Sequence, residues 1–111
     1  MHSYPRVRRA EGFWARLRGV GLRVTWQEFD ALCLPRCRAI HTFALAKSID
    51  VVFVADDGVI LEVRSRVPPW RLLAALEHNV QDAWEFPSGS CERHGVIAGM
   101  SIDILLQRGK S

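Results

Sequence analysis

Between Ile40 and Val67 the apolar positions change period twice, and the rest of the chain is arranged around that stretch. Ile49-Asp50-Val51-Val52-Phe53-Val54 is apolar on both parities except at Asp50, which predicts a strand buried on both faces. Asp57-Gly58 follows and predicts a tight hairpin, because glycine accepts a positive φ at little cost. Beyond the turn, Val59, Leu61 and Val63 alternate with Glu62, Arg64 and Arg66, the signature of a half-exposed strand. Upstream, Ile40 to Leu45 reads as another strand, with Ala46-Lys47-Ser48 as a turn that returns the chain antiparallel to it.

The flanks are less regular. Met1 to Ala10 predicts a loose arm. Glu11 to Arg18 predicts a short helix with Phe13 and Leu17 on one face, ended by Gly19 and Gly21. Thr25 with Glu28 forms a capping box for a second short helix through about Leu32, which Pro35 breaks. Pro68-Pro69 enforces extended backbone after the hairpin. Trp70 to His78 fits a helical face at Trp70, Leu73 and Leu76, yet follows two prolines, so helix and extended chain both stay open. Ala83 to Phe86 reads as a strand closed by Pro87-Ser88-Gly89, and Ser101 to Leu106 as a final strand before a polar tail. The expected architecture is α+β: one compact, mostly antiparallel β domain over 11–107, barrel-like or a strongly twisted sheet, with one or two short helices near the N-terminus and a flexible basic arm over 1–10.

At 111 residues, 49% hydrophobic and 24% charged, the chain is long enough for one core and is neither disordered nor fibrous. Charge sharpens the picture of the arm. Six arginines and one glutamate give Met1–Arg23 a net +5, so the remainder carries −2 of the overall +3. A basic leader can touch a polyanion, but beyond Phe13 and Trp14 no aromatic residues interleave with it to stack on bases, and a solvated arm is the simpler account. No run approaches the roughly 20 apolar residues of a transmembrane segment. The first 23 residues hold no apolar signal core, so the chain as written is expected in the cytoplasm, or at the envelope if it is a processed form. Cys33, Cys37 and Cys91 are then expected to be reduced thiols.

An ordered set of blocks resembles one known family. Phe13-Trp14-Ala15-Arg16-Leu17-Arg18-Gly19, then Cys37, Ile40-His41-Thr42, Ile49-Asp50-Val51-Val52-Phe53 and Asp57-Gly58 match the pattern of the family called domain of unknown function 192. Pro69-Trp70-Arg71, Glu85-Phe86-Pro87-Ser88-Gly89, Gly95 and Gly99 match its later blocks, so that the resemblance spans about residues 13 to 105. The chain departs from the pattern at Gly19-Val20-Gly21-Leu22, at Leu45, at Met100 and at Arg36, which separates Pro35 from Cys37. The resemblance implies a small, mostly β domain common in bacterial and archaeal proteins that carry a signal or anchor. It implies no established activity.

Candidate chemistry comes down to a few polar residues set in apolar strands. Cys33, Cys37 and His41 are four apart, but in an extended chain Cys37 and His41 stand about 13 Å apart, too far for one metal, so neither metal nor other cofactor is expected. His41-Thr42 interrupts an apolar strand and either satisfies buried backbone or faces a cleft. Asp50, in a doubly buried strand, must find a donor, and with His41 it could do acid–base work. Glu85 sits between Trp84 and Phe86, where burial would raise its pKa. Gly109-Lys110-Ser111 lacks the upstream glycine and following helix of a phosphate loop. The expectation is one candidate ligand cleft formed by His41, Thr42, Asp50, Trp70 and Glu85 and bordered by Cys37. The leading functional expectation is a non-enzymatic binding or accessory module for an unknown protein partner or small ligand. The alternative is a small ligand-binding or hydrolase-like enzyme using His41 and Asp50.

Overall fold

The computed structural model describes residues 7–9, 31–42 and 47–108. Among them, strands β1 (Val7–Arg9), β2 (Ala31–Pro35), β3 (Ala39–His41), β4 (Ile49–Val54), β5 (Ile60–Val67), β6 (Leu72–Ala74) and β7 (Asp82–Pro87) precede helices α1 (Ser90–Arg93) and α2 (Asp103–Arg108). The main sheet has the order β1-β2-β7-β4-β5, while β3 and β6 form a separate antiparallel pair. β1 runs parallel to β2, and every other pairing in the main sheet is antiparallel. The sheet is open at β1 and β5, and no barrel closes among the described residues.

β4 is buried along its whole length because both faces of the sheet are covered. On one face Val51 and Phe53 join Leu32 and Leu34 of β2, with Ile40 and Leu73 of the β3–β6 pair packed over them. On the other, Val52 and Val54 meet Phe86, Cys91 of α1 and Leu105 of α2. The helices therefore back one face and the small sheet backs the other.

The hairpin forms where Asp57-Gly58 places it. Ala55 N donates to Val59 O at 2.9 Å, Gly58 N donates to Ala55 O at 3.0 Å, and Gly58 adopts φ 85°. The alternation expected of β5 is broken by a bulge. Val54 faces Ile60 and Phe53 faces Glu62, which leaves Leu61 as an extra residue. Leu61 consequently packs on the β3–β6 side and Val63 on the helix side, whereas a regular strand would put both on one face. A second shift between the Ile49–Val67 and Val51–Arg64 pairs leaves Arg66 at φ 53° opposite Asp50.

Several expectations need correction. Ala31 and Leu32 belong to β2 and not to a helix end: Ala31 to Leu34 is apolar on both parities and lies between β1 and β7. The Glu11–Arg18 helix and the start of the Thr25 helix lie outside the described residues, and the helices that are described come late in the chain. Val7–Arg9, within the expected arm, pairs with Ala31–Cys33. Trp70 to His78 resolves without a helix, as the short strand β6 between a bend at Trp70 and bends and a turn at residues 76–78. Ser101 to Leu106 is not a strand. Ile102 and Leu105 bury at helical spacing, Asp103 N donates to Ser101 Oγ at 3.2 Å, and the chain turns helical from Asp103. A six-residue segment with four apolar positions does not distinguish the two periods.

Candidate functional site

The β3–β6 pair builds one exposed face. Ile40 and Leu73 pair across it and point into the core, so Ala39, Leu72 and Ala74 of the flanking pairs point outward, while His41, opposite Leu72, is half-buried with its Nε2 shielded from solvent. The entry to β6 is fixed by Thr42, which is fully buried. Its hydroxyl donates to Pro68 O at 2.7 Å and accepts from Arg71 N at 2.8 Å. Its backbone closes the same turn, with Thr42 N donating to Arg71 O at 2.8 Å and Trp70 N donating to Thr42 O at 2.9 Å. Clamped this way, Trp70 holds φ 64°, a conformation that L residues with large side chains avoid. The indole it carries is 65% exposed, with Leu72 73% and Leu76 79% exposed beside it in sequence.

The loop after β6 is tied to the main sheet through Glu62. Its Oε2 accepts from Leu76 N at 2.7 Å and Glu77 N at 2.8 Å, while Oε1 pairs with the Arg64 guanidinium at 2.7 Å. Burial alone would raise this carboxyl, but the Glu77 amide, the Arg64 guanidinium and the Leu76 amide outweigh it and hold the pKa below the ordinary value.

Asp50 occupies a different environment. It pairs with Phe86 across β7, whereas Glu85 pairs with Val51, so the two carboxylates point to opposite faces of the sheet. Asp50 Oδ1 accepts from Arg66 N at 2.9 Å and Gly89 N at 3.1 Å, and Oδ2 accepts from Cys91 N at 2.8 Å. One carboxylate thus joins the β5 bulge, the Pro87-Ser88-Gly89 turn and the start of α1. Burial pushes the Cys91 thiol up to about 12, helped by the adjacent Asp50 charge and hydrogen bond, so it stays a thiol at neutral pH and is a poor nucleophile.

The structure brings His41, Thr42 and Trp70 together around the β3–β6 face. Cys37, whose Sγ donates to Ala39 O at 2.9 Å, sits at its base in the core between the sheets. Glu85 is buried on the side of the main sheet that faces them, between Leu32 and Val51 in register. Asp50 is turned to the helix side. Reading from sequence missed Leu72 and Leu76, whose signal was an apolar residue in a segment of unsettled period. It also missed Glu62, read there only as the polar half of an alternating strand. Among the described residues no group of three or more His, Cys, Asp or Glu is placed to hold a metal ion, and no helix is long and apolar enough to cross a membrane.

The model of the DUF192 family, described as an uncharacterised ACR, matches residues 2–104. The chain belongs to this family. DUF192 as a family carries no assigned activity, in keeping with the sequence resemblance. No curated protein matches the chain. Two solved structures share its fold. A protein of unknown function from Novosphingobium aromaticivorans DSM 12444 has 17% identity and a TM-score of 0.74 over 86% of this chain and 71% of that one. A protein from Sinorhizobium meliloti 1021, offered as a transcription regulator, has 21% identity and a TM-score of 0.75 over 84% of this chain and 76% of that one. At these identities the likeness speaks for the fold alone.

Proposed function

We propose that this DUF192 domain is a non-enzymatic binding module that receives an apolar segment of a partner protein on the outer face of the β3–β6 pair. The observation that supports this most is Trp70. This large aromatic residue is mostly exposed and is held at positive φ by a fully buried threonine clamp, with Leu72 and Leu76 exposed nearby. Backbone strain retained beside exposed apolar surface is what a recognition element needs, and folding gains nothing from it. Arg71, also exposed, adds a cation to the rim and favours a partner segment that carries acidic residues near its apolar ones.

The enzymatic alternative has weaker support. Its Asp50 gives both oxygens to backbone amides, and the site offers no activated nucleophile. A photo-crosslinker placed at Leu72, with one at exposed Asp56 as control, tests the binding reading. The expected result is one protein captured from Leu72 alone, whose capture fails in Trp70→Ala. Equal capture from both positions, or capture indifferent to Trp70, overturns it, as does a concentration-dependent dimer abolished by Leu72→Lys, which would assign the face to a second copy of the chain.

A further inference from the structure

On the helix side of the main sheet, two guanidinium groups converge over one glycine. Gly89 sits at φ 89° in the Pro87-Ser88-Gly89 turn and is buried beneath them. A Cβ built there would lie 3.0 Å from Arg93 Nη1 and 3.3 Å from Arg66 Nη2, so the two cationic tips are no farther apart than those two distances combined. The glycine is what lets both approach the backbone.

Their hydrogen-bonding capacity is incompletely used. Arg66 donates through Nε to Glu92 Oε1 at 2.9 Å, and no described partner takes its Nη2. Among the described residues Arg93 makes only neutral, long contacts, from Nη1 to Ser88 O at 3.4 Å and from Nη2 to Ser90 Oγ at 3.3 Å. Asp50 lies below and its charge favours the Arg66 cation, but its oxygens are taken by backbone amides and accept from neither guanidinium among the described contacts. Those amides include Gly89 N and Cys91 N, so α1 itself has little left to offer a ligand. Beside the pair, Ser48 Oγ donates to Ser88 Oγ at 2.9 Å, which leaves the Ser88 proton free to donate outward, and Lys47 next to Ser48 is exposed.

We propose that Arg66, Arg93 and Ser88 form a binding site for a phosphate group. Two planar guanidinium forks and a hydroxyl match the several acceptor oxygens of a tetrahedral dianion, and the anion relieves the mutual repulsion of the arginines. The serine hydroxyl adds direction to a site that otherwise selects on charge. This site lies across the main sheet from the β3–β6 face, so either reading can fail alone.

The experiment titrates inorganic phosphate into the protein at constant ionic strength, held with chloride, and reads both the melting temperature and the amide shifts of Ser88 to Arg93. Saturable stabilisation is expected, weakened about tenfold or more in Arg93→Gln and in Arg66→Gln. Both residues are exposed, so both variants fold, and circular dichroism checks that they do. A response that is unsaturable, or that is the same in the two variants as in the wild type, overturns the site. Glycerol phosphate and vesicles of phosphatidic acid in phosphatidylcholine, with phosphatidylcholine alone as blank, separate a soluble ligand from a lipid headgroup. Failure of both to compete with inorganic phosphate would limit the site to the free ion and count against an organic phosphate ligand.

Discussion

Asp50 and Trp70 are both residues that a strand-rich domain does not easily accommodate, and the fold treats them in opposite ways. Asp50 is a charge with no exposure to solvent, and its oxygens are satisfied by three backbone donors from two segments, β5 and the turn into α1. Trp70 is a large apolar side chain that stays 65% exposed, and the backbone around it is satisfied. On the helix side, polarity is drawn inward to fasten the architecture. On the β3–β6 side, apolar surface is pushed outward on a fastened frame. The difference separates residues that make the fold from residues the fold displays, a distinction that polar-versus-apolar identity alone would have drawn the wrong way round.

The hardest test of the comparison is Asp50→Ala. It strands two buried amides and a part-buried one at once, and at roughly 1–3 kcal/mol for each unsatisfied group the loss should reach about 3 kcal/mol or more, read as a collapse of the urea midpoint. A loss under about 1 kcal/mol would mean that water reaches those amides and that Asp50 is no keystone. Thr42→Val should cost about 2 kcal/mol, since it keeps the shape but leaves Pro68 O and Arg71 N without their partner. The same variant should also loosen Trp70, seen as a narrower spread of its indole resonances toward solvent values.

Glu62→Gln should have a smaller effect that depends on pH. Because the Glu62 carboxyl is held below its ordinary 4.5, its contribution is present above that pH and is lost as pH falls through the lowered value. The variant should therefore be less stable than the wild type at pH 7, with the gap closing as pH drops below about 4.5. A gap that persists to pH 2 would assign the loss to packing. The smallest change is expected from Trp70→Gly. Relief of the positive φ offsets the loss of the indole's few core contacts, leaving stability within about 1 kcal/mol of wild type while partner capture is lost. A loss of several kcal/mol would place Trp70 among the residues that make the fold.

How legible these features were depended on the range of the signal. The β4–β5 hairpin was readable because its cue, Asp57-Gly58 between two apolar runs, is local and its chemistry is specific. That Asp50 needed donors also followed from its place in a doubly buried strand. Their identity did not, because Arg66, Gly89 and Cys91 reach it through a bulge and a turn far along the chain. The same bulges undid the face assignment of Leu61 and Val63, since one inserted residue inverts the alternation beyond it. The proposed cleft came apart at Asp50 for a related reason: adjacency in sequence between Ile40–Leu45 and Ile49–Val54 suggested that they pair, whereas β3 pairs with β6 and β4 with β5 and β7. β2 was concealed because the helix expected from Thr25 was carried through about Leu32, into an apolar run that pairs as a strand.

The place of β7 has a consequence for how the domain is made. It is the strand that joins β2 to β4, yet it is the last strand to leave the ribosome. Until residues 82–87 emerge, β2 and β4 have no common neighbour, and the edge of each that β7 will occupy is an unpaired row of amides and carbonyls. The β4–β5 hairpin can form early from local contacts, but the sheet closes only when a late segment inserts between two earlier ones, the kind of non-local step that slows folding. Between the completion of β4 at Val54 and that of β7 at Pro87 both edges stay open, and this is the interval in which a chaperone has most to protect.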